Sequence, residues 1–276
     1  MSASPEAASP APEIVVVLVE PAGPLNVGSV ARLCANFAIA QLRLVAPRCN
    51  PLGEEARRMA VHGQAQLEQA ATFPSLAAAI ADCRRVVATS GRLEREELPL
   101  VGPGSALSWL IEPEADSGVD INPGVAINPG GAINPGGAMA PVALVFGRED
   151  RGLSNDELLQ AGKILRLESS ADYASLNLSH AVAICLHELR RIPAAKEPPG
   201  VSDGAGVTSL RGVLESTLAD GQDLLLEVGF LHPHTAHARM AKLRGLLQRA
   251  QIREGEVALI RGMVRQLRWA TTRGTP

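Results

Sequence analysis

Three short polar segments of the chain carry the side chains that could do chemistry. The first is Pro24-Leu-Asn-Val-Gly-Ser-Val-Ala-Arg32, which places Asn26 and Gly28 before a predicted helix and Arg32 about one turn inside it. A backbone opened by glycine at a helix N-terminus can hold an anion, and an arginine beside it would add positive charge. The pattern also fits an ordinary strand–loop–helix connection with an exposed arginine, and it is neither a GxGxxG nor a Walker motif.

The other two polar segments also lie at predicted strand or helix ends. Residues 146–155 (FGREDRGLSN) place four charges directly after a predicted buried strand, and ligands of open α/β sheets bind at the carboxyl ends of strands. Ser154 or Asn155 is a suitable N-cap for the helix that follows. Residues 173–180 (YASLNLSH) place Ser175 and Asn177 at the start of an apolar helix, where capping alone could explain them.

The elements that must position these segments alternate between strands and helices. Short runs rich in Val, Ile and Leu predict buried strands, and runs with helical periodicity lie between them. This alternation predicts an α/β fold with a parallel sheet covered on both faces. The predicted strands are Ile14–Val19, Leu42–Val45, Val86–Thr89, Val142–Phe146 and Ile164–Leu167, and the predicted helices are about 29–37, 54–60, 75–82, from 155 onward, and 178–190.

Composition divides the 276 residues into several parts. Residues 1–12, rich in Ala, Pro and Ser, predict a disordered tail without the features of a signal peptide. Residues 13–192 form the predicted α/β domain, which a threefold Asn-Pro-Gly repeat interrupts at residues 120–140 as a low-complexity surface insertion. Residues 193–207 predict a linker, and residues 208–276 predict a small helical C-terminal domain.

Charge is distributed unevenly, although the formal net charge is only −3. Residues 237–276 hold nine Lys and Arg residues against two Glu residues, so this segment is strongly basic. Helical spacing places Arg261, Arg265 and Arg268 opposite an apolar seam, which predicts a basic outer face on the last helix. Such a face could bind a polyanion or could simply be solvated.

No metal, disulfide or membrane segment is expected. Four scattered cysteines without a CxxC pair predict buried reduced thiols in a cytoplasmic protein. His232, His234 and His237 form an H-x-H-x-x-H cluster, but no cysteine or carboxylate lies beside it, so a zinc site is not expected. The apolar run Ile14–Val19 is too short to span a bilayer.

Taken together, the three polar segments resemble the SpoU branch of the SPOUT methyltransferases over about residues 14–190. The matching motifs are N-x-G-S-V-A-R-x-x-x-N-F (26–37), V-F-G-R-E-D-R-G-L-S-N-D-E-L (145–158) and S-L-N-L-S-H-A (175–181). The C-terminal part is similar to one subgroup, the TrmJ tRNA methyltransferases, in G-F-L-H-P (229–233), L-R-G-L-L-Q-R-A (243–250) and E-V-A-L-I-R-G-M (256–263). Ala38, where the family usually has glycine, and the Asn-Pro-Gly repeat depart from the pattern.

The resemblance implies an RNA 2′-O-methyltransferase that uses S-adenosylmethionine and no metal, with a trefoil knot in the C-terminal part of its parallel-sheet domain. It implies a homodimer that binds tRNA, with Arg261, Arg265 and Arg268 on phosphates. The subgroup implies cytidine or uridine at position 32 of the anticodon loop as the target. The implied catalytic residues are Asn26, Arg32, Glu149, Ser175 and Asn177, and the implied cofactor-binding residues are Thr89, Ser90, Gly91, Gly147, Leu167, Ala174, Ser175 and Leu176.

Alternatives stay open for the arginine and for the substrate. Arg32 could lose its proton transiently, but an arginine pKa above about 12 favours a charged Arg32 that stabilises a developing alkoxide and grips a phosphate. Asn26 and Glu149 would orient this arginine or the ribose. The alternative functions are a SpoU activity on rRNA or on another tRNA nucleotide, and a non-catalytic RNA-binding protein. The presence of Asn26, Arg32, Glu149 and Asn177 together argues against the last.

Overall fold

A parallel sheet of seven strands forms the centre of the part of the chain that the structure describes. The computed structural model describes residues 12–91, 100–112, 140–170, 175–192 and 208–273. The strands are β1 (Ile14–Val19), β2 (Gln41–Val45), β3 (Ala71–Phe73), β4 (Arg85–Thr89), β5 (Leu100–Val101), β6 (Val142–Phe146) and β7 (Lys163–Leu165). They lie in the order β3-β2-β1-β6-β4-β7-β5, with every pairing parallel. The predicted parallel α/β sheet is confirmed.

Strands β1 and β6 lie side by side in the middle of the sheet, and almost all of their residues are buried. Their continuous apolar sequences explain this position, because a parallel strand covered on both faces has no polar side. From β1 the chain adds β2 and β3 on one side, whereas β6 and β4 lie on the other. The carboxyl ends of β1 and β6 therefore flank a point where the strand order changes direction, and such points open a crevice in α/β sheets.

Helices cover both faces of this sheet. They are α1 (Pro24–Asn36), α2 (Glu54–Ala60), α3 (Gln64–Glu68), α4 (Leu76–Ala79), α5 (Pro103–Ile111), α6 (Asn155–Leu158) and α7 (Leu178–Arg191), with a 3-10 turn at Val61–Gly63. Apolar side chains of α1, α5 and α7 pack on one face, and those of α4 and α6 pack on the other. The sequence patterns did not predict α3, α5, β3 or β5. Two of these elements are strands of two or three residues, and α5 begins in a Gly-Pro-Gly sequence that is typical of a turn.

Helix α1 begins at Pro24, earlier than the predicted start near Ser29. Proline is favoured at the first helical position, because its missing N–H would have no helical partner there. Gly28 consequently lies inside the helix and not before it. A Cβ atom on Gly28 would lie 2.2 Å from the carbonyl oxygen of Ala56, so only glycine lets α1 approach α2 this closely.

Three C-terminal helices share a separate apolar core. They are α8 (Arg211–Glu227), α9 (Pro233–Arg249) and α10 (Glu254–Arg273). Helix α8 begins against the sheet domain, where the N–H groups of Arg211 and Gly212 donate to the carbonyl oxygens of Cys83 and Ala81. Within the described ranges, no helix combines the length and the apolar character that crossing a membrane requires.

Two of the three arginines of the predicted basic outer face of α10 are half-buried and contact α8. Arg261 donates to Oγ of Ser216 at 2.9 Å and Arg268 donates to the carbonyl oxygen of Asp220 at 3.0 Å, so both reach α8. Arg265 is exposed, as predicted. Long arginine stems can pack along an apolar surface while their guanidinium groups find carbonyl oxygens, and α10 turns this side toward α8.

Of the four cysteines, Cys34, Cys83 and Cys185 are buried as predicted, whereas Cys49 is half-buried. Burial raises the pKa of Cys34 and of Cys185 to about 12. The trefoil knot stays a prediction. The predicted tail, insertion and linker lie almost entirely outside the described residues.

Candidate active site

The carboxylate of Glu149 joins the loop after β6 to the loop after β1. It accepts hydrogen bonds from the backbone N–H groups of Ala22 (3.1 Å) and Gly23 (3.0 Å) and from Nδ2 of Asn26 (3.2 Å). Gly23 is the N-cap residue of α1, and Asn26 lies in the first turn of that helix. The carboxylate therefore sits at the positive end of α1, which favours a negative charge.

The Glu149 carboxylate lies where the sequence left an anion site open as one alternative. Burial opposes its ionisation, but the N–H groups of Ala22 and Gly23 and the Asn26 amide hold the pKa of Glu149 below its ordinary value. The N-terminus of α1 thus binds a carboxylate of the chain itself. Gly28, which was expected before the helix, lies inside α1 and takes no part in this contact.

Asn177 connects the third polar segment to the same place. Its Nδ2 donates to Oδ1 of Asn26 at 3.1 Å. Its Oδ1 caps α7 by accepting from the backbone N–H groups of Ser179 (2.9 Å) and His180 (3.4 Å). Both ends of the Asn177 amide are therefore engaged, and a hydrogen-bonded chain, hereafter the polar relay, runs from Glu149 through Asn26 to Asn177.

Arg148, which the sequence analysis did not single out, braces the charged loop. Its guanidinium donates to both carboxylate oxygens of Glu157 (2.8 and 2.9 Å), to the Glu20 carboxylate and to the carbonyl oxygen of Gly152 (3.2 Å). Glu157 also forms a capping box with Ser154, the N-cap of α6. The spacing of Ser154 and Glu157 is a signal in the sequence, whereas the ion pair of Arg148 with Glu20 joins residues 128 positions apart and leaves none.

A cavity of about 250 Å³ opens beside the polar relay, at the carboxyl ends of β4, β6 and β7. Apolar side chains such as Leu153 and Leu178 alternate in its wall with polar groups, and Glu149 is part of that wall. The cavity brings together seven of the eight residues that the resemblance assigned to the cofactor: Thr89, Ser90, Gly91, Gly147, Leu167, Ser175 and Leu176. The eighth, Ala174, lies outside the described residues.

Backbone contacts hold the loops of this cavity in place. The Thr89 hydroxyl donates to the carbonyl oxygen of Val145 at 3.1 Å, and the Ser90 N–H donates to that of Leu165 at 3.0 Å. A Cβ atom on Gly147 would lie 2.4 Å from the backbone of Gly152, so the loop closes on itself through a glycine. Contacts within the chain therefore set the shape of the cavity.

Arg32 lies on α1 but outside the polar relay. Its side chain is exposed, and among the described residues no hydrogen bond or ion pair joins it to Asn26 or Glu149. Six residues along a helix correspond to about 9 Å of rise and about one and two-thirds turns. Within one chain, Asn26 and Glu149 therefore orient each other and Asn177, and they do not orient Arg32.

The histidines near the start of α9 have other neighbours. The rings of His232 and His234 stack with their centroids 5.8 Å apart, and Nε2 of His237 lies 3.4 Å from the Asp156 carboxylate. In the part of the chain that the structure describes, no three His, Cys, Asp or Glu side chains form a group that could hold a metal ion. What the site can do is bind a ligand with a large apolar part in the cavity and orient a second, polar molecule at the polar relay.

Two family profiles match the chain. The profile of the SpoU rRNA Methylase family matches residues 13–187, which contain the polar relay and the cavity. The profile described as "tRNA methyltransferase TrmJ, C-terminal domain" matches residues 213–275, which contain α9, α10 and most of α8.

Individual proteins are similar over nearly the whole chain. The tRNA (cytidine/uridine-2'-O-)-methyltransferase TrmJ of Klebsiella pneumoniae is 32 % identical over 255 residues, which cover 91 % of this chain and 94 % of that protein. The tRNA (cytidine/uridine/adenosine-2'-O-)-methyltransferase TrmJ of Pseudomonas aeruginosa is 30 % identical over 259 residues, with 91 % and 92 % covered. The crystal structure of TrmJ from Z. mobilis ZM4 has a TM-score of 0.74 at 26 % identity, covering 92 % of this chain and 98 % of that one.

Proposed function

Since the chain belongs to the SpoU rRNA methylase family, we propose that it methylates ribose 2′-hydroxyls of tRNA with S-adenosylmethionine as the methyl donor. Its C-terminal helices match the TrmJ domain, and its relatives in K. pneumoniae and P. aeruginosa are named tRNA 2′-O-methyltransferases. The observation that carries the proposal is the polar relay beside a cavity with apolar walls. Within this class we assign the target to cytidine or uridine at position 32 of the anticodon loop.

The cavity fits the chemistry of S-adenosylmethionine. Leu153, Leu167 and Leu176 offer apolar walls for an adenine ring, and the polar groups around Ser90 and Ser175 can bind its amine and ribose. Bound there, the donor supplies a methyl group that its sulfonium already activates, so the reaction needs no metal. The chain has to align a ribose oxygen with that methyl group and help to remove the hydroxyl proton.

Glu149 and Asn26 can orient the ribose at the rim of the cavity. A carboxylate has about four acceptor positions, and Glu149 uses three of them for Ala22, Gly23 and Asn26. The Asn26 amide nitrogen carries two hydrogens and gives one to Glu149. One acceptor position and one donor therefore remain for a ribose hydroxyl, in an orientation that Asn177 fixes from the other side.

We assign Arg32 to the site of a second copy of the chain. It is exposed and stands outside the polar relay of its own chain, so a homodimer in which it reaches the other relay would complete each site. A charged guanidinium there would stabilise the developing alkoxide and bind the neighbouring phosphate. The cytoplasmic location, the trefoil knot and phosphate binding by Arg265 rest on family membership.

Mixing two inactive variants tests the assignment of Arg32. Chains with Arg32→Ala and chains with Asn26→Ala form mixed dimers, each of which keeps one site with both residues intact. If Arg32 acts across the dimer, about a quarter of the wild-type activity should return on mixing, as expected for random pairing of two-fold dimers. No recovery, with mixed dimers present by native mass spectrometry, would contradict the assignment.

Methyl transfer itself is measured with labelled S-adenosylmethionine and either tRNA or rRNA fragments as acceptor. We expect label in tRNA, and none in a tRNA that carries a 2′-deoxy nucleotide at position 32. Label in the deoxy-substituted tRNA would move the target to another nucleotide, and label only in rRNA would move it to that RNA. Binding of tRNA without transfer to either RNA would favour a non-catalytic RNA-binding protein.

A further inference from the structure

One short loop contacts the segment Glu20–Gly23 at both ends of that segment. Arg148 and Glu149 are consecutive residues of opposite charge in the loop after β6. Arg148 binds the Glu20 carboxylate, and Glu149 binds the N–H groups of Ala22 and Gly23. This arrangement, hereafter the clasp, sets the path by which the chain leaves β1 and enters α1.

The Arg148 half of the clasp holds a strained backbone. Glu20 has a φ of 44°, in the left-handed region that residues with a side chain rarely adopt. Such a conformation costs free energy and persists only when its surroundings hold it. The surroundings are a hydrogen bond from the Glu20 N–H to the carbonyl oxygen of Val45 (2.8 Å) and two arginines. The Arg148 side chain is only 10 % exposed and binds the Glu20 carboxylate, and Arg151 makes a longer contact at 3.3 Å. The hydrogen bond from Arg148 lowers the pKa of Glu20, so the pair stays ionised.

The cavity does not depend on this ion pair. The loop 147–154 is held by two backbone hydrogen bonds between Arg148 and Gly152 (3.3 and 2.9 Å) and by the capping box of Ser154 with Glu157. Among the described residues that line the cavity, none belongs to the segment 20–26. Loss of the Glu20 carboxylate should therefore free the segment that carries Asn26 while the cavity keeps its shape. Loss of the Arg148 side chain frees the same segment and also removes its bonds to Glu157 and Gly152.

We propose that Arg148 is a positioning residue that acts through Glu20 to align Asn26 and Glu149 with the methyl donor. The inference rests on the proposed methyltransferase function. It assigns Arg148 to the acceptor half of the site, although Arg148 also lines the cavity. A residue that held only the cavity would act on the affinity for the donor instead.

The variant Arg148→Met tests this assignment, since methionine keeps much of the bulk and removes the ion pair. A displacement of reacting groups by about 1 Å can reduce a rate by about 100-fold, so we expect kcat to fall by about 10- to 100-fold. The Kd of S-adenosylmethionine and the KM of tRNA should stay near wild type. Glu20→Gln keeps the bonds of Arg148 to Glu157 and Gly152 and should lower kcat in the same way. The double variant should be no worse than Arg148→Met, because Arg148→Met already removes the pair with Glu20.

Arg43 provides a matched control outside the site. Its side chain is 7 % exposed and binds both carboxylate oxygens of Asp82, at 2.6 and 2.8 Å, on β2. Arg43→Met removes the ion pair of a similarly buried arginine, so it should lower the melting temperature while the folded protein keeps its kcat. An equal loss of kcat in Arg43→Met would mean that destabilisation alone explains the result for Arg148, and the proposal would be overturned.

Hydrogen exchange measures how firmly the clasp holds its segment, independently of methyl transfer. Exchange of peptides spanning residues 20–26 should be faster in Arg148→Met and in Glu20→Gln than in wild type, and unchanged in Arg43→Met. Unchanged exchange, a wild-type kcat, or an equal loss of donor affinity in Arg148→Met overturns the proposal. If Arg148→Met does not fold, the same measurements on Glu20→Gln decide. If the wild-type protein transfers no methyl group to tRNA, the proposed function is refuted. Faster exchange in the two variants would then still support the clasp.

Discussion

The close approach of α1 to α2 at Gly28 allows a direct test of how the site is built. Helix α1 carries Asn26 and Arg32, so its position sets the geometry of both. A Cβ atom on Gly28 would lie 2.2 Å from the carbonyl oxygen of Ala56 and 2.9 Å from Cβ of Met59. Carbon atoms in contact rest about 3.5–4.0 Å apart, so Gly28→Ala has to move one helix by roughly 1 Å.

Two effects of opposite sign decide the stability of Gly28→Ala. Alanine favours a helix interior over glycine by about 1 kcal/mol. Overpacking costs about 1–3 kcal/mol, and the upper part of that range applies because a backbone carbonyl cannot rotate away as a side chain can. We therefore expect the free energy of unfolding to fall by about 1–2 kcal/mol, and methyl transfer to fall with it because Asn26 moves with α1.

Gly262→Ala is the matched control, because Gly262 lies in the middle of α10 and no atom would come within 4 Å of its new Cβ. That substitution should raise the free energy of unfolding by up to about 1 kcal/mol. Urea denaturation, followed by circular dichroism, measures both variants against wild type. A urea midpoint that rises in Gly28→Ala as it does in Gly262→Ala would refute the packing argument.

Three further predictions concern the polar relay, the pH dependence and the C-terminal helices. Asn177→Asp keeps the α7 cap but loses the amide that donates to Asn26, so the melting temperature should hold while methyl transfer falls at least about tenfold. Burial opposes ionisation of Glu157, yet Arg148 holds the pKa of Glu157 below the ordinary 4.5. The stability that ionised Glu157 adds is therefore complete above pH 4.5 and is lost as the pH falls through the lower pKa of the folded state. The urea midpoint should decline over that range in wild type, and Glu157→Gln should flatten the decline. By fluorescence anisotropy, Arg265→Ala should weaken tRNA binding and reduce its salt slope by about one, whereas Arg268→Ala should mainly lower the melting temperature.

Much of the sheet could be predicted from local patterns. The strands β1, β2, β4, β6 and β7 coincide with runs of apolar residues, because a strand buried on both faces needs such a run wherever it occurs. The start of α1 could not be predicted in the same way. Glycine is typical of loops, so the sequence around Gly28 did not indicate a helix. Only the close approach of α2 explains why a glycine lies inside α1.

Parts of the site were predictable for the same local reason. Ser154 and Asn177 cap the helices that follow them, and a cap depends on N–H groups within three residues of the capping side chain. The orientation of the α10 arginines was not predictable. Arg261 and Arg268 face α8 because of how two helices dock, although the spacing in the sequence placed them on the solvent side.

The amino-acid sequence by itself determined the five longer strands, the caps and the motifs that indicate a methyltransferase, since each depends on residues that are close along the chain. Only the tertiary structure decided that Glu149 binds the N-terminus of α1, that Asn26 pairs with Asn177, and that Arg148 holds Glu20. These contacts join residues between 123 and 151 positions apart. No local periodicity records such pairings, because the folding of the sheet is what brings the ends of separate strands to one edge.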